Sequence, residues 1–172
     1  LYKHEEDFLR GYATGVGGGR GEYSLKEGMG DELRENLLSR QLGGWNISAW
    51  MMGETVPVEE NHIRLHESLV DKYGIPQIVF SCDWQENDDK MVNDFMTQIP
   101  EMMEKAGFSD IKASDSHAAP GSDIHEMGGV RMGKDPKTSM LDANHALHAC
   151  KNVYVTDGAC MTSTSTQNPT LT

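Results

Sequence analysis

Residues 86 to 106 place Met91, Val92, Phe95, Met96, Ile99, Met102 and Met103 on one stripe at helical spacing, between acidic and polar positions. A helix with such a stripe needs an apolar surface to lie against, which commits the chain to a layered fold with a core. A methionine stripe of this kind is core packing before it is a cofactor contact. Asn87 and Asp88 suit the start of the helix, and Gly107 suits its end.

Ahead of this helix the period changes. The runs WNISAWMMGE, NHIRLHE and IPQIVFSCDW read as three strands, and the turn-like links TVPVEE and SLVDKYG predict a three-stranded antiparallel meander. Leu33, Leu37 and Leu38 predict a short amphipathic helix over residues 29 to 42, stopped by Gly43 and Gly44. Residues 108 to 115, FSDIKASD, read as a further strand, and KNVYVTDG near residue 151 as a short buried one. The expected class is therefore α+β, an antiparallel sheet with helices packed on one face.

The opening residues 1 to 24 carry Tyr2, Phe8, Tyr12 and Tyr23 around the run GVGGGRG. A phosphate-binding glycine loop follows a strand, has GxGxxG spacing and opens a helix. HEEDFLRGYATG lacks strand character and the spacing differs, so this segment is expected to be a mobile loop.

With 172 residues, 37% of them hydrophobic and 24% charged, the chain is long enough for one ordinary domain. Fifteen Lys and Arg against 27 Asp and Glu give a net charge of −12, spread along the sequence, which repels phosphate backbones and argues against nucleic acid as a partner. No apolar run reaches the roughly 18 residues of a membrane span, and no signal peptide opens the chain. A soluble protein, cytoplasmic or periplasmic, is expected. The chain also lacks an initiator methionine, and Asn168-Pro169-Thr170 looks like a helix start with its helix removed, so a larger parent protein is expected.

Metal binding finds little support. Cys82, Cys150 and Cys160 show no CxxC spacing. His62 and His66 lie four apart, which on a strand separates them by about 13 Å. His145 and His148 have no thiolate or carboxylate cluster at suitable spacing, and a structural role is expected for them. His4 and His117 are isolated.

His125 is different, because GSDIHEMGGVRMG sets it between two glycine-rich breaks that shape a loop and let other groups come close to the backbone. Such loops also bury hydrogen-bonded histidines for purely structural reasons, so the loop alone leaves both roles open. Further on, VYVTDGACMTSTSTQNPTLT runs from a short strand through a glycine turn to a helix start, a natural cradle for an electron-rich ring or a phosphate. Asp157 stands at the strand end.

HEMGGVRMGKDP, followed at a suitable interval by NVYVTDGACMTSTSTQNPTLT, resembles the C-terminal region of the glucose-methanol-choline (GMC) oxidoreductases, flavoenzymes that oxidise alcohols and sugars with FAD. ENHIRL followed by KYGIPQIVF looks like that family's substrate domain. HEMGG, DPKTS and TDGACMTSTSTQNP look most like its bacterial dehydrogenases of glucosides or gluconate. The resemblance implies a substrate-binding domain over residues 1 to 150, with residues 151 to 172 returning to an FAD-binding domain. The Rossmann-like glycine unit of such a domain is absent from this sequence.

It further implies hydride transfer from a CH–OH carbon to flavin N5, with His125 as the base that takes the hydroxyl proton. An imidazole suits that task because its ordinary pKa of about 6.5 leaves it largely neutral at physiological pH. Asn168 falls where the family places the second member of its pair; an amide donates a hydrogen bond to the substrate oxygen but cannot act as base. Asp157, Gly158, Asn168, Pro169 and Thr170 fall at positions of contact to FAD. Arg131 is expected to brace the glycine loop through a carboxylate, with a substrate contact as the alternative. The implied partners are a sugar or other alcohol, the FAD domain, and an electron acceptor such as a cytochrome, with a small subunit as a further candidate. The alternative is a catalytically silent module that binds a substrate or partner, the chain being inactive on its own.

Overall fold

The structure, a computed structural model, describes residues 6–23, 28–39, 41–122 and 124–169. His4 and Thr170, both singled out in the sequence, lie outside these residues. In chain order the elements are β1 (Tyr12–Tyr23), α1 (Asp31–Leu38), β2 (Gln41–Gly53), β3 (His62–Val70), β4 (Pro76–Ser81), α2 (Glu86–Lys105), β5 (Ala146–Leu147) and β6 (Cys150–Tyr154), with a one-turn 3-10 helix at Gly158–Cys160. The class is α+β, as expected. The sheet is not continuous: strands pair two by two, β1 with β2, β3 with β4, and β5 with β6. The chain divides into two compact units, Thr14–Met51 and the remainder.

Two expectations fail at the front of the chain. The glycine run expected as a mobile loop forms β1, and β1 takes β2 as its partner, so the three-stranded meander does not form. Glycine permits this pairing because a side chain would not fit: a Cβ on Gly15 would sit 2.2 Å from the indole ring of Trp50. Within the unit Thr14–Met51, Arg20 Nε also donates to Gly43 O at 3.0 Å. Gly43 and Gly44 thus belong to β2, and the first helix ends earlier, at Ser39, whose N–H donates to Glu35 O at 2.9 Å.

In the other unit, β3 and β4 form an antiparallel hairpin with Ile63 opposite Phe80 and Leu65 opposite Ile78. Asp71 makes the turn, its Oδ1 accepting Tyr73 N at 2.8 Å and Ile75 N at 2.9 Å. Asn61 closes the open end, donating to Asp83 O at 3.0 Å and accepting Asp83 N at 2.9 Å. The register shifts between Leu65 and Val70, and there His66 Nδ1 accepts the N–H groups of Ser68 and Leu69 at 3.2 and 2.9 Å. His66 is occupied by its own backbone. Among the described residues no group of three or more His, Cys, Asp or Glu is placed to hold a metal ion.

Helix α2 runs as its stripe predicts, with Met91 and Met103 buried. Asp88 caps it by accepting Gln85 N at 2.9 Å. Burial pushes the Asp88 carboxyl above the usual aspartate range; the Gln85 N–H opposes this shift, and the neighbouring Asp89 charge adds to it. Asn87 does different work, accepting Leu9 N at 2.7 Å and donating to Leu9 O at 3.2 Å. At the far end Gly107 (φ 89) N donates to Glu104 O at 2.9 Å and Phe108 N to Met103 O at 3.0 Å, a Schellman closure. Tyr12 lies edge-on to Phe95 at 5.7 Å and donates to Asp94 Oδ2 at 2.6 Å. Burial drives its phenol far above the ordinary range, with the Asp94 hydrogen bond next in weight.

Residues 108–115, expected as a strand, are irregular and form no ladder. β6 is exposed along its length, not buried, because its partner β5 has only two residues. Among the described residues no helix is long and apolar enough to cross a membrane.

Candidate functional site

The two motifs meet backbone to backbone. Val130 N donates to Ala159 O at 2.9 Å and Met132 N to Cys160 O at 3.0 Å, which lays the glycine loop along the 3-10 turn. Behind them Leu141, fully buried, bridges to Met132 on one side and to Leu147 on the other. Arg131 O accepts both Met140 N and Leu141 N, at 3.1 and 3.3 Å. Asp157 caps the 3-10 turn by accepting Ala159 N at 2.9 Å. Gly158 leaves room for the loop, since a Cβ there would meet Met127 Sδ at 2.6 Å.

Two histidines near this junction are structural, as expected. His148 Nε2 lies 3.1 Å from Ser139 Oγ and 3.2 Å from Gly133 O. The serine hydroxyl donates to Asp135 O at 2.8 Å, so the imidazole is the donor to both oxygens. His145 Nδ1 lies 3.2 Å from Val155 O, a carbonyl, and must also donate.

His125 differs from them in its ring and not in its backbone, since His145 is left-handed too (φ 62). The backbone of His125 is left-handed (φ 79), its side chain half-buried, and its ring has no hydrogen-bond partner among the described residues. A non-glycine residue in this region is uncommon and is held there by its surroundings. Here those surroundings are the loop 126–133 and the turn it is hydrogen-bonded to. A half-buried imidazole with unused hydrogen-bonding capacity is equipped to accept a proton from a visitor.

Of the other residues, Asn168 is exposed and Pro169 buried. No hydrogen bond joins Asn168 to His125 among the described residues; the structure brings together the two backbones, not this pair of side chains. Arg131 is exposed and pairs with no carboxylate among the described residues, and its carbonyl does the bracing instead. Two residues escape a sequence reading altogether. Glu54, at the end of β2, accepts the hydroxyl of Ser163 across 109 positions, and no spacing in the sequence announces that contact.

Residues 57–172 match the family model for GMC oxidoreductases. The chain is 34% identical over 92% of its length to paromamine 6'-oxidase of Streptomyces fradiae. It is 30% identical over 75% to 2-methyl-1,2-propanediol dehydrogenase of Mycolicibacterium austroafricanum, and 28% over 84% to the fructose dehydrogenase large subunit of Gluconobacter japonicus. It spans 27%, 23% and 26% of these three relatives, about a quarter of each. With that match over its larger part, the chain belongs to the GMC oxidoreductase family.

Proposed function

We propose that this chain supplies the substrate-facing part of an FAD-dependent oxidoreductase that converts a CH–OH group of a sugar or sugar derivative to a carbonyl, with His125 as base. The observation that carries the proposal is the half-buried ring of His125, without a hydrogen-bond partner among the described residues, on a left-handed backbone in a loop hydrogen-bonded to the Asp157 turn. Family membership supports it, as do relatives named for oxidising paromamine, fructose and a diol.

The residues fit one side of a flavin site. Asp157 spends one carboxylate oxygen on its own turn and keeps the other, and the Asn168 carboxamide is exposed with no hydrogen bond among the described residues. Asp157, Gly158, Asn168, Pro169 and Thr170 would hold the group. When bound, FAD would supply the hydride acceptor for the carbinol carbon.

The imidazole of His125 takes the hydroxyl proton, and the electron density left on oxygen favours departure of the hydride and formation of C=O. Asn168 donates to that oxygen as its charge grows and sets its direction. The test uses full-length, flavin-loaded protein and a panel of paromamine, fructose, glucose, gluconate and 2-methyl-1,2-propanediol. His125→Ala is expected to slow flavin reduction by the best of these by about 100-fold or more, the scale of a lost general base. Reduction at the parent rate would remove His125 from the role.

A further inference from the structure

We infer that Glu54 is a positioning residue for Asn168, acting through Ser163; the inference rests on the role proposed above for Asn168. The Glu54 side chain is only 15% exposed, and two distant stretches of chain, Arg10–Gly11 and Ser163, meet at this residue. Its Oε1 accepts the Ser163 hydroxyl and lies 3.7 Å from Arg10 Nε, while its backbone N–H donates to Gly11 O at 3.1 Å. Arg10 approaches from a left-handed backbone (φ 68).

The run that carries Asn168 depends on this contact. It leaves the 3-10 turn at Met161, whose N–H donates to Gly158 O at 3.1 Å, passes Ser165 in a left-handed conformation (φ 61), and reaches the buried Pro169. Between those anchors it has no helix or strand. Among the described residues, the bond from Ser163 to Glu54 is the one side-chain hydrogen bond that residues 162–169 make. A largely buried carboxylate braced by a guanidinium is a fixed acceptor, so it defines where Ser163 sits and, five residues on, where the exposed carboxamide points. A displacement of about 1 Å at a substrate-orienting group can cost about 100-fold in rate.

The test compares Glu54→Ala, Glu54→Gln, Ser163→Ala and Asn168→Ala in full-length, flavin-loaded protein. Single-turnover flavin reduction is measured per bound flavin, with the panel alcohol that reduces the parent fastest. Glu54→Ala and Ser163→Ala are each expected to slow the limiting rate by about 10-fold to 100-fold with little change in substrate Kd. A variant that combines Glu54→Ala with Ser163→Ala should be no slower than the worse single one, because both substitutions remove the same contact. Glu54→Gln keeps an acceptor oxygen and should stay within about 3-fold of the parent. A merely structural role would lower flavin content or Tm and leave the rate per flavin and the Gln rescue unmoved, which overturns the inference. If Asn168→Ala is slow while Glu54→Ala and Ser163→Ala are not, this inference alone falls. If Asn168→Ala keeps the parent rate, the role of Asn168 falls and this inference with it.

Discussion

At the scale of single residues, small groups fix the site by occupying one hydrogen bond or one gap each. Asp157→Ala removes the acceptor for Ala159 N and is expected to cost about 1 kcal/mol in chemical denaturation, the usual value of a lost cap. Gly158→Ala forces a methyl toward Met127 and should cost about 1–3 kcal/mol, with Met127→Ala restoring part of it. Asp88 gives a pH test with a definite sign. Burial raises its folded pKa above the ordinary 3.8, so between those two values the native state binds more protons than the unfolded chain. Its contribution therefore weakens the fold as pH rises through that window. Asp88→Asn, which keeps an acceptor for Gln85 N, should flatten this part of the stability profile in denaturant titrations at stepped pH.

At the scale of elements, α2 was legible because its stripe, its polar cap and Gly107 all point to one conformation. Met103→Ala should destabilise the protein by about 2–5 kcal/mol, the cost of a buried cavity on the face that the stripe names. Strands β2, β3 and β4 and the antiparallel pairing of β3 with β4 were legible, whereas β1 and its pairing with β2 were not. Pairing of β2 with β1 depends on a glycine strand that shows no alternation, and its reason, Trp50 lying against Gly15, exists only once the two are side by side. The candidate site divides in the same way. The motifs announced His125 and Asp157, while the left-handed backbone at His125 and the bonds from Val130 to Ala159 and Met132 to Cys160 come from long-range packing. Arg131 illustrates the difference, since its expected role belonged to the guanidinium and the structure gives the bracing to its carbonyl.

At the scale of the whole molecule, the proposed chemistry needs more surface than these residues provide. Nothing in the 172 residues matches a GxGxxG unit after a strand. A polypeptide of these residues alone is expected to purify colourless, whereas the full-length protein should show the visible absorbance of bound flavin; a flavin-coloured short chain would refute the shared-site view. The way the glycine loop is fastened also bears on how such a site can be retailored. The bonds that fasten it to the 3-10 turn are made entirely by main-chain atoms, and the outward side chains of Glu126 and Arg131 take no part in them. Exchange of either side chain therefore leaves the main-chain fastening of the loop in place, which makes the loop a fixed mount with replaceable fittings.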